Sequence, residues 1–186
     1  MSPSQHQPTA AEARAEAEAR RDEVRAERQA AFERAYGDRA PGEWVMAASW
    51  TTTVIFAVTS IVAAVAPNSI DAAYLLTSLG LFALGCVVFL AVLVLAAARS
   101  RTAEMGIGGL FFLAGSAPRS VQWNLLGSLA VQVVVSVVAA AVGFTRIGDR
   151  ELNVLAFGIL VPMLGLGWCG LWSVRWGLFP DRVAPR

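Results

Sequence analysis

Hydrophobic and polar positions are segregated along this chain into long blocks. Four stretches, 44–66, 72–98, 121–144 and 152–174, contain no Asp, Glu, Lys, Arg or His. Each is longer than the ~20 residues that carry a helix across a hydrocarbon layer of ~30 Å, so the pattern predicts four transmembrane helices. Ahead of them lies a polar arm, residues 1–43. Its first eight residues are polar and Pro-containing and are expected to be unstructured. From Thr9, with Glu12 three residues on, to about Tyr36 the sequence is almost entirely Ala, Glu and Arg, which predicts a capped helix over 9–36. Val24, Phe32 and Tyr36 are its only sizeable apolar residues, and Glu16 stands four residues before Arg20. The expected form is a charged, solvated cytoplasmic helix that the bundle does not need in order to fold. Gly37, Pro41 and Gly42 end it. The membrane domain is then 44–176, and 177–186 is a short Pro-broken tail expected to lack structure.

The third stretch carries the one polar stripe. Asn124, Ser128, Gln132 and Ser136 recur every four residues, which puts them on one slowly drifting helix face. A carboxamide near the bilayer centre is costly unless a neighbouring helix bonds to it, so this face is expected to meet protein. By depth, the candidate partners for Gln132 are Thr52, Thr53, Thr59, Ser60, Thr77 and Ser78. The stripe serves either as helix-to-helix glue, the favoured reading, or as the lining of a path.

The fourth stretch contains Pro162 together with Gly158, Gly165, Gly167 and Gly170, which predicts a kinked helix closely approached by a neighbour. Trp168, Trp172 and Trp176 follow at four-residue spacing. With Trp44 and Trp123 they are assigned as anchors at the membrane interface, with packing against a helix or an acyl chain open to the deeper Trp168. Between the second and third stretches, residues 105–115 are apolar but too short to cross. They are expected to lie at the interface, with a re-entrant element as the alternative. Ser116 is expected to cap the third helix and Pro118 to sit in its first turn.

Charge orients the bundle. Arg25, Arg28, Arg34 and Arg39 precede the first stretch, Arg99, Arg101 and Arg119 flank the second loop, and Arg175, Arg182 and Arg186 follow the last stretch. On the opposite side stand only Arg146 and Arg150, beside Asp149 and Glu151. Both termini are therefore expected on the cytoplasmic side of a plasma membrane. The 56% hydrophobic content and mean hydropathy of +0.55 fit an integral membrane protein. Ala64-Val65-Ala66 has the form of a signal-peptidase site, but the preceding polar region and the apolar run are both too long, so the helix is read as retained.

Candidate chemistry is sparse. Cys86 and Cys169 each lie deep in an apolar run and read as small buried hydrophobes, and the single histidine is His6. No metal site, haem site, phosphate-cradling loop or nucleophile–base pair can be assembled, and no catalytic residue is assigned. No span holds the embedded ionisable group on which proton-coupled transport depends. Neither a cofactor nor a nucleic-acid partner is expected.

Two segments, FFLAGSAPR at 111–119 and LAFGILVPMLGLGWCGLWSVRWGLFP at 155–180, resemble parts of small uncharacterised actinobacterial integral membrane proteins with four helices. All fifteen basic residues are Arg, which with the Ala, Val and Gly excess suits a GC-rich coding sequence of that kind. The resemblance implies no activity. The fold expected is all-α: an antiparallel four-helix transmembrane bundle with a charged cytoplasmic N-terminal helix. The function expected is that of an accessory or scaffold subunit binding another membrane complex. The alternative is a small transporter or channel-like subunit whose stripe lines a path on oligomerisation. Partners are the lipid bilayer and another membrane protein or a second copy of the chain.

Overall fold

In an apolar medium each backbone donor and acceptor has to be satisfied within the chain, and the four apolar stretches meet that demand as helices. A computed structural model describes residues 9–37, 39–66, 70–145 and 153–182. His6, Arg146, Arg150 and Arg186, with the expectations attached to them, lie outside the described residues. Among the described residues the elements are α1 (Ala10–Tyr36), α2 (Glu43–Val65), α3 (Asp71–Arg99), α4 (Ile107–Phe111), α5 (Arg119–Phe144), a 3-10 helix (Val154–Leu160) and α6 (Pro162–Trp176). Four segments are long and apolar enough to cross a membrane: α2, α3, α5 and the combined run Val154–Trp176.

The chain divides into two units, Met1–Arg39 and Ala40–Arg186. In the first, α1 begins with a complete capping box. The Thr9 hydroxyl accepts from the Glu12 amide at 3.3 Å, and the Glu12 carboxylate accepts from the Thr9 amide at 2.7 Å. These bonds, the one to the Thr9 backbone foremost, hold the Glu12 carboxyl below its ordinary range.

In the second unit α6 is the central post, packing against α2, α3, α4 and α5. Its glycines let neighbours come close. A Cβ at Gly85 of α3 would stand 2.7 Å from the backbone nitrogen of Leu164, so α3 meets α6 backbone to backbone there. On α2 the buried positions Ser49, Thr53, Phe56, Ser60 and Ala63 follow helical spacing, while Val54, Ile55, Val58, Ile61 and Val65 are exposed on the other faces. The α2 hydroxyls bond back into their own helix: Thr53 Oγ1 donates to the Ser49 carbonyl and Ser60 Oγ to that of Phe56, both at 2.7 Å.

Several expectations are corrected. The fourth span is not one kinked α-helix. It is a 3-10 segment that hands over to α6 at Pro162, which occupies the first helical position, where its missing N–H costs least. Ser116 does not cap α5. Pro118 takes the N-cap position, and the Ser116 hydroxyl donates instead to the Gly109 carbonyl at 2.5 Å. Residues 177–182 are not unstructured, because their backbone finds partners. Leu178 donates to the Ser116 carbonyl, Glu104 to that of Pro180 and Arg182 to that of Thr102, each at 2.8–2.9 Å. Within residues 105–115, Leu110 and Phe111 are buried and the Phe111 ring stacks on Phe89 at 4.9 Å, while Ile107 and Phe112 are exposed.

A depressed carboxylate stabilises the fold above its unfolded-state pKa, and that contribution is lost as pH falls through the lower folded value. The N-terminal turn of α1 is therefore expected to fray on acidification, with lower protection of the Glu12 and Ala13 amides relative to their intrinsic exchange rates at each pH. Thr9→Ala should weaken the turn at neutral pH and remove most of this acid sensitivity. Exchange measured on the full chain across the carboxylate range checks it, and an unchanged acid response in Thr9→Ala would count against the capping box as its cause.

Candidate functional site

The polar stripe of α5 lies in a seam between α2, α5 and the fourth span. Successive positions four residues apart turn by roughly 40° on an α-helix, so the stripe sweeps across its neighbours. Asn124 falls outside the buried part. It is exposed, donates to the Ser120 carbonyl at 2.9 Å and accepts from the Trp50 indole at 3.3 Å. Ser128, Gln132 and Ser136 are buried. The Ser128 and Ser49 hydroxyls share a bond of 2.5 Å, and Gln132 Nε2 donates to Thr53 Oγ1 at 2.7 Å. Thr53, one of the six candidates, is thus the partner, and α2 the helix that carries it.

The orientation of the Gln132 amide follows from this network. The Thr53 hydroxyl hydrogen is spent on the Ser49 carbonyl, so Thr53 can only accept, and Gln132 must turn its NH₂ toward it. Gln132 Oε1 then points at Gly165, where a Cβ would approach it to 2.7 Å, and it has no hydrogen-bond partner among the described residues.

Ser136 does something the sequence pattern did not disclose. Pro162 has no N–H for the carbonyl four residues earlier, that of Gly158. The Ser136 hydroxyl lies 2.9 Å from this oxygen and also 2.5 Å from the Gln132 carbonyl, and the Val161 amide donates to the Gly158 oxygen at 3.0 Å. In the same segment the Tyr74 hydroxyl of α3 donates to the Leu155 carbonyl at 3.1 Å. Side chains of α3 and α5 thus serve backbone groups that an unbroken α-helix would satisfy itself.

The tryptophans divide. Trp44 meets Trp168 and Trp176 edge-on, at 6.2 and 6.4 Å between ring centroids, and Trp172 lies 6.2 Å from Trp176. Trp172 is fully buried and donates to the Pro41 carbonyl at 2.7 Å, and Trp168 is buried with its indole nitrogen unbonded. These two are packed inside the unit and do not stand at its surface as anchors would. Trp123 is 78% exposed and Trp44 51%.

Arg99, read from the sequence as a topology marker only, closes the far end of α6. Its guanidinium donates to the carbonyls of Val174 at 2.6 Å and Gly177 at 2.7 Å, with the Phe179 ring 5.4 Å beneath it. Its position in the last turn of α3 was visible; the α6 carbonyls it reaches were not. Beside it the Ser173 hydroxyl donates to the Gly109 carbonyl at 2.7 Å. Leu113 takes φ 58°, a region leucine rarely adopts, and its carbonyl is held by Gln122 Nε2 at 3.0 Å.

The seam therefore offers hydroxyls and one carboxamide. Among the described residues no three His, Cys, Asp or Glu side chains come together to hold a metal ion, and Cys86 and Cys169 are free thiols. No protein-family model, curated protein or solved structure matches this chain.

Two measurements test the seam. Ser136→Ala is expected to cost about 1 kcal/mol of thermal stability, and to cost less in a Pro162→Ala background, where the restored N–H serves the Gly158 carbonyl. Equal costs in both backgrounds would sink the link between Ser136 and Pro162. Gln132→Leu removes one bond together with one unbonded acceptor, so its melt is expected to move by no more than about 1 kcal/mol in either direction.

Proposed function

We propose that this chain is an integral membrane accessory or scaffold subunit that binds another membrane complex. It would sit in the plasma membrane as an antiparallel four-helix bundle with both termini, and the charged arm, on the cytoplasmic side. The observation that supports this reading is the way the seam spends its polar groups inside the chain. Ser128 pairs with Ser49, Gln132 with Thr53 and Ser136 with the Gly158 carbonyl. A helix that lined a path would turn such groups toward a lumen. The exposed faces, by contrast, carry Val133, Val134, Val137 and Val138 on α5 and Val87, Leu90 and Val94 on α3, surfaces that suit lipid or other apolar helices. The arginine distribution supports the orientation.

Purification of the full chain in mild detergent is expected to bring stoichiometric membrane partners with it. A homo-oligomer with no other subunit, whose flux on reconstitution falls in Ser128→Ala/Gln132→Leu, would overturn the proposal in favour of the transporter reading. For topology, a cysteine at Ser69, which lies outside the described residues, is expected to react with an impermeant reagent on intact cells. Reaction only after lysis would reverse the orientation.

A further inference from the structure

One concave surface on the second unit is neither seam nor aromatic cluster. It is a groove of about 620 Å³ on α5, lined by Arg119, Gln122, Trp123, Leu126, Gly127 and Ala130. Its polar lining, Arg119 and Gln122, stands toward the start of α5, and Leu126, Gly127 and Ala130 further along the helix are apolar. Arg119 is exposed, and no hydrogen bond or ion pair reaches its guanidinium among the described residues. Among the described residues no carboxylate lines the groove beside Arg119. Gln122 is committed, its Nε2 donating to the Leu113 and Ala117 carbonyls at 3.0 and 2.8 Å, and so fixes the wall without neutralising Arg119. The Trp123 ring stands out from the helix at 78% exposure. Beyond it the side chains shrink to Gly127 and Ala130, and the Trp50 ring flanks the trough, 3.9 Å from where a Gly127 Cβ would be.

We propose that this groove binds one anionic phospholipid, its phosphate on Arg119, its glycerol region against Trp123 and one acyl chain lying along Leu126, Gly127 and Ala130. Charge complementarity selects the headgroup, since a guanidinium forks onto phosphate oxygens and nothing in the groove competes for it. Length selects a lipid over a free phosphate. From Arg119 to Ala130 an α-helix rises roughly 16 Å, about half of a ~30 Å hydrocarbon layer, so the trough spans one leaflet from its polar edge to its middle. An exposed tryptophan at the top of such a trough occupies the depth that indole rings favour. The site requires insertion of the chain in a membrane but no partner complex, so its failure and that of the accessory-subunit reading are separate results.

The test uses the full chain, extracted in mild detergent, incubated with vesicles of dioleoyl phosphatidylglycerol or dioleoyl phosphatidylcholine and examined by native mass spectrometry. One phosphatidylglycerol per chain is expected to be retained in preference to phosphatidylcholine. Arg119→Gln should lower retention roughly fivefold, the worth of one arginine at an anionic surface, without moving the melt. Ala130→Phe, which fills the trough at an exposed position, should lower it too. Arg101→Gln, outside the groove and at the opposite end of the loop between α3 and α5, should leave it unchanged. Equal retention of both lipids, equal loss in Arg101→Gln, or no loss in either Arg119→Gln or Ala130→Phe would each overturn the proposal.

Discussion

The arrangement of the second unit depends on one missing donor. Pro162 supplies no N–H, so among the described residues the Val161 amide, at 3.0 Å, is the one backbone donor that reaches the carbonyl of Gly158. The Ser136 hydroxyl of α5, whose one hydrogen is shared between this oxygen at 2.9 Å and the nearer Gln132 carbonyl at 2.5 Å, reaches it because α5 lies directly against the 3-10 segment. Gly158 has no side chain to keep Ser136 or the nearby Tyr74 and Phe56 rings away. Once α5 is fixed there, Gln132 one turn on falls beside Gly165 and Thr53, and Ser128 beside Ser49. The local defect in the fourth span thus sets where the third span and, through it, the first must sit.

At the other end of α6 the same demand is met from a different helix. The final carbonyls of a helix have no partners of their own. Arg99 supplies them from α3, at 2.6 and 2.7 Å, and its guanidinium is also the charge that complements the negative end of the α6 dipole. The extended residues 177–182 then return along the α3–α4 connection, bridging Ala103 to Asp181, so the chain end is tied to the post it leaves. Close backbone approach at Gly85 and the arginine clamp at Arg99 together explain why α3 follows α6 so fully along its length.

What the sequence disclosed and what it hid follow from the range of the interactions. Length and hydropathy are local properties, and the four apolar helices could be read from them, as could the Thr9–Glu12 capping box, which closes within one turn. The seam was legible in outline because a four-residue repeat of polar side chains is itself a local pattern. Its partners were not, because the choice of Thr53 among six hydroxyls depends on the rotation of α2 about its own axis. Pro162 signalled a break but not its form, since whether a proline kinks a helix or begins one is decided by what serves the carbonyl four residues earlier, here a serine on another span. The tail misled for the same reason: GLFPDR has no helical or strand pattern, and its order comes from carbonyls and amides in residues 102–116 that no local pattern connects to it.

The small energies involved bear on what the seam is for. Hydrogen bonds between membrane helices average roughly 0.6 kcal/mol, because an unfolded helix in lipid finds other partners too. Three such contacts are modest beside the packing of the glycine-lined faces of α6, so the seam does little to decide whether the helices associate. It does much to decide how. Ser49 with Ser128 and Thr53 with Gln132 advance together along α2 and α5, and a slip of α5 by one residue would rotate Gln132 by roughly 100°, away from Thr53, as a slip of α2 would carry Thr53 away from Gln132. The bonded and slipped states then differ in the carboxamide NH₂ alone, Oε1 being unbonded already, and leaving that donor unsatisfied costs about 1–3 kcal/mol, more than the bond contributes in the native register. A polar stripe of this kind penalises wrong registers more than it rewards the right one, and it does so using side chains that lie wholly inside the chain and take no surface away from lipid or partner.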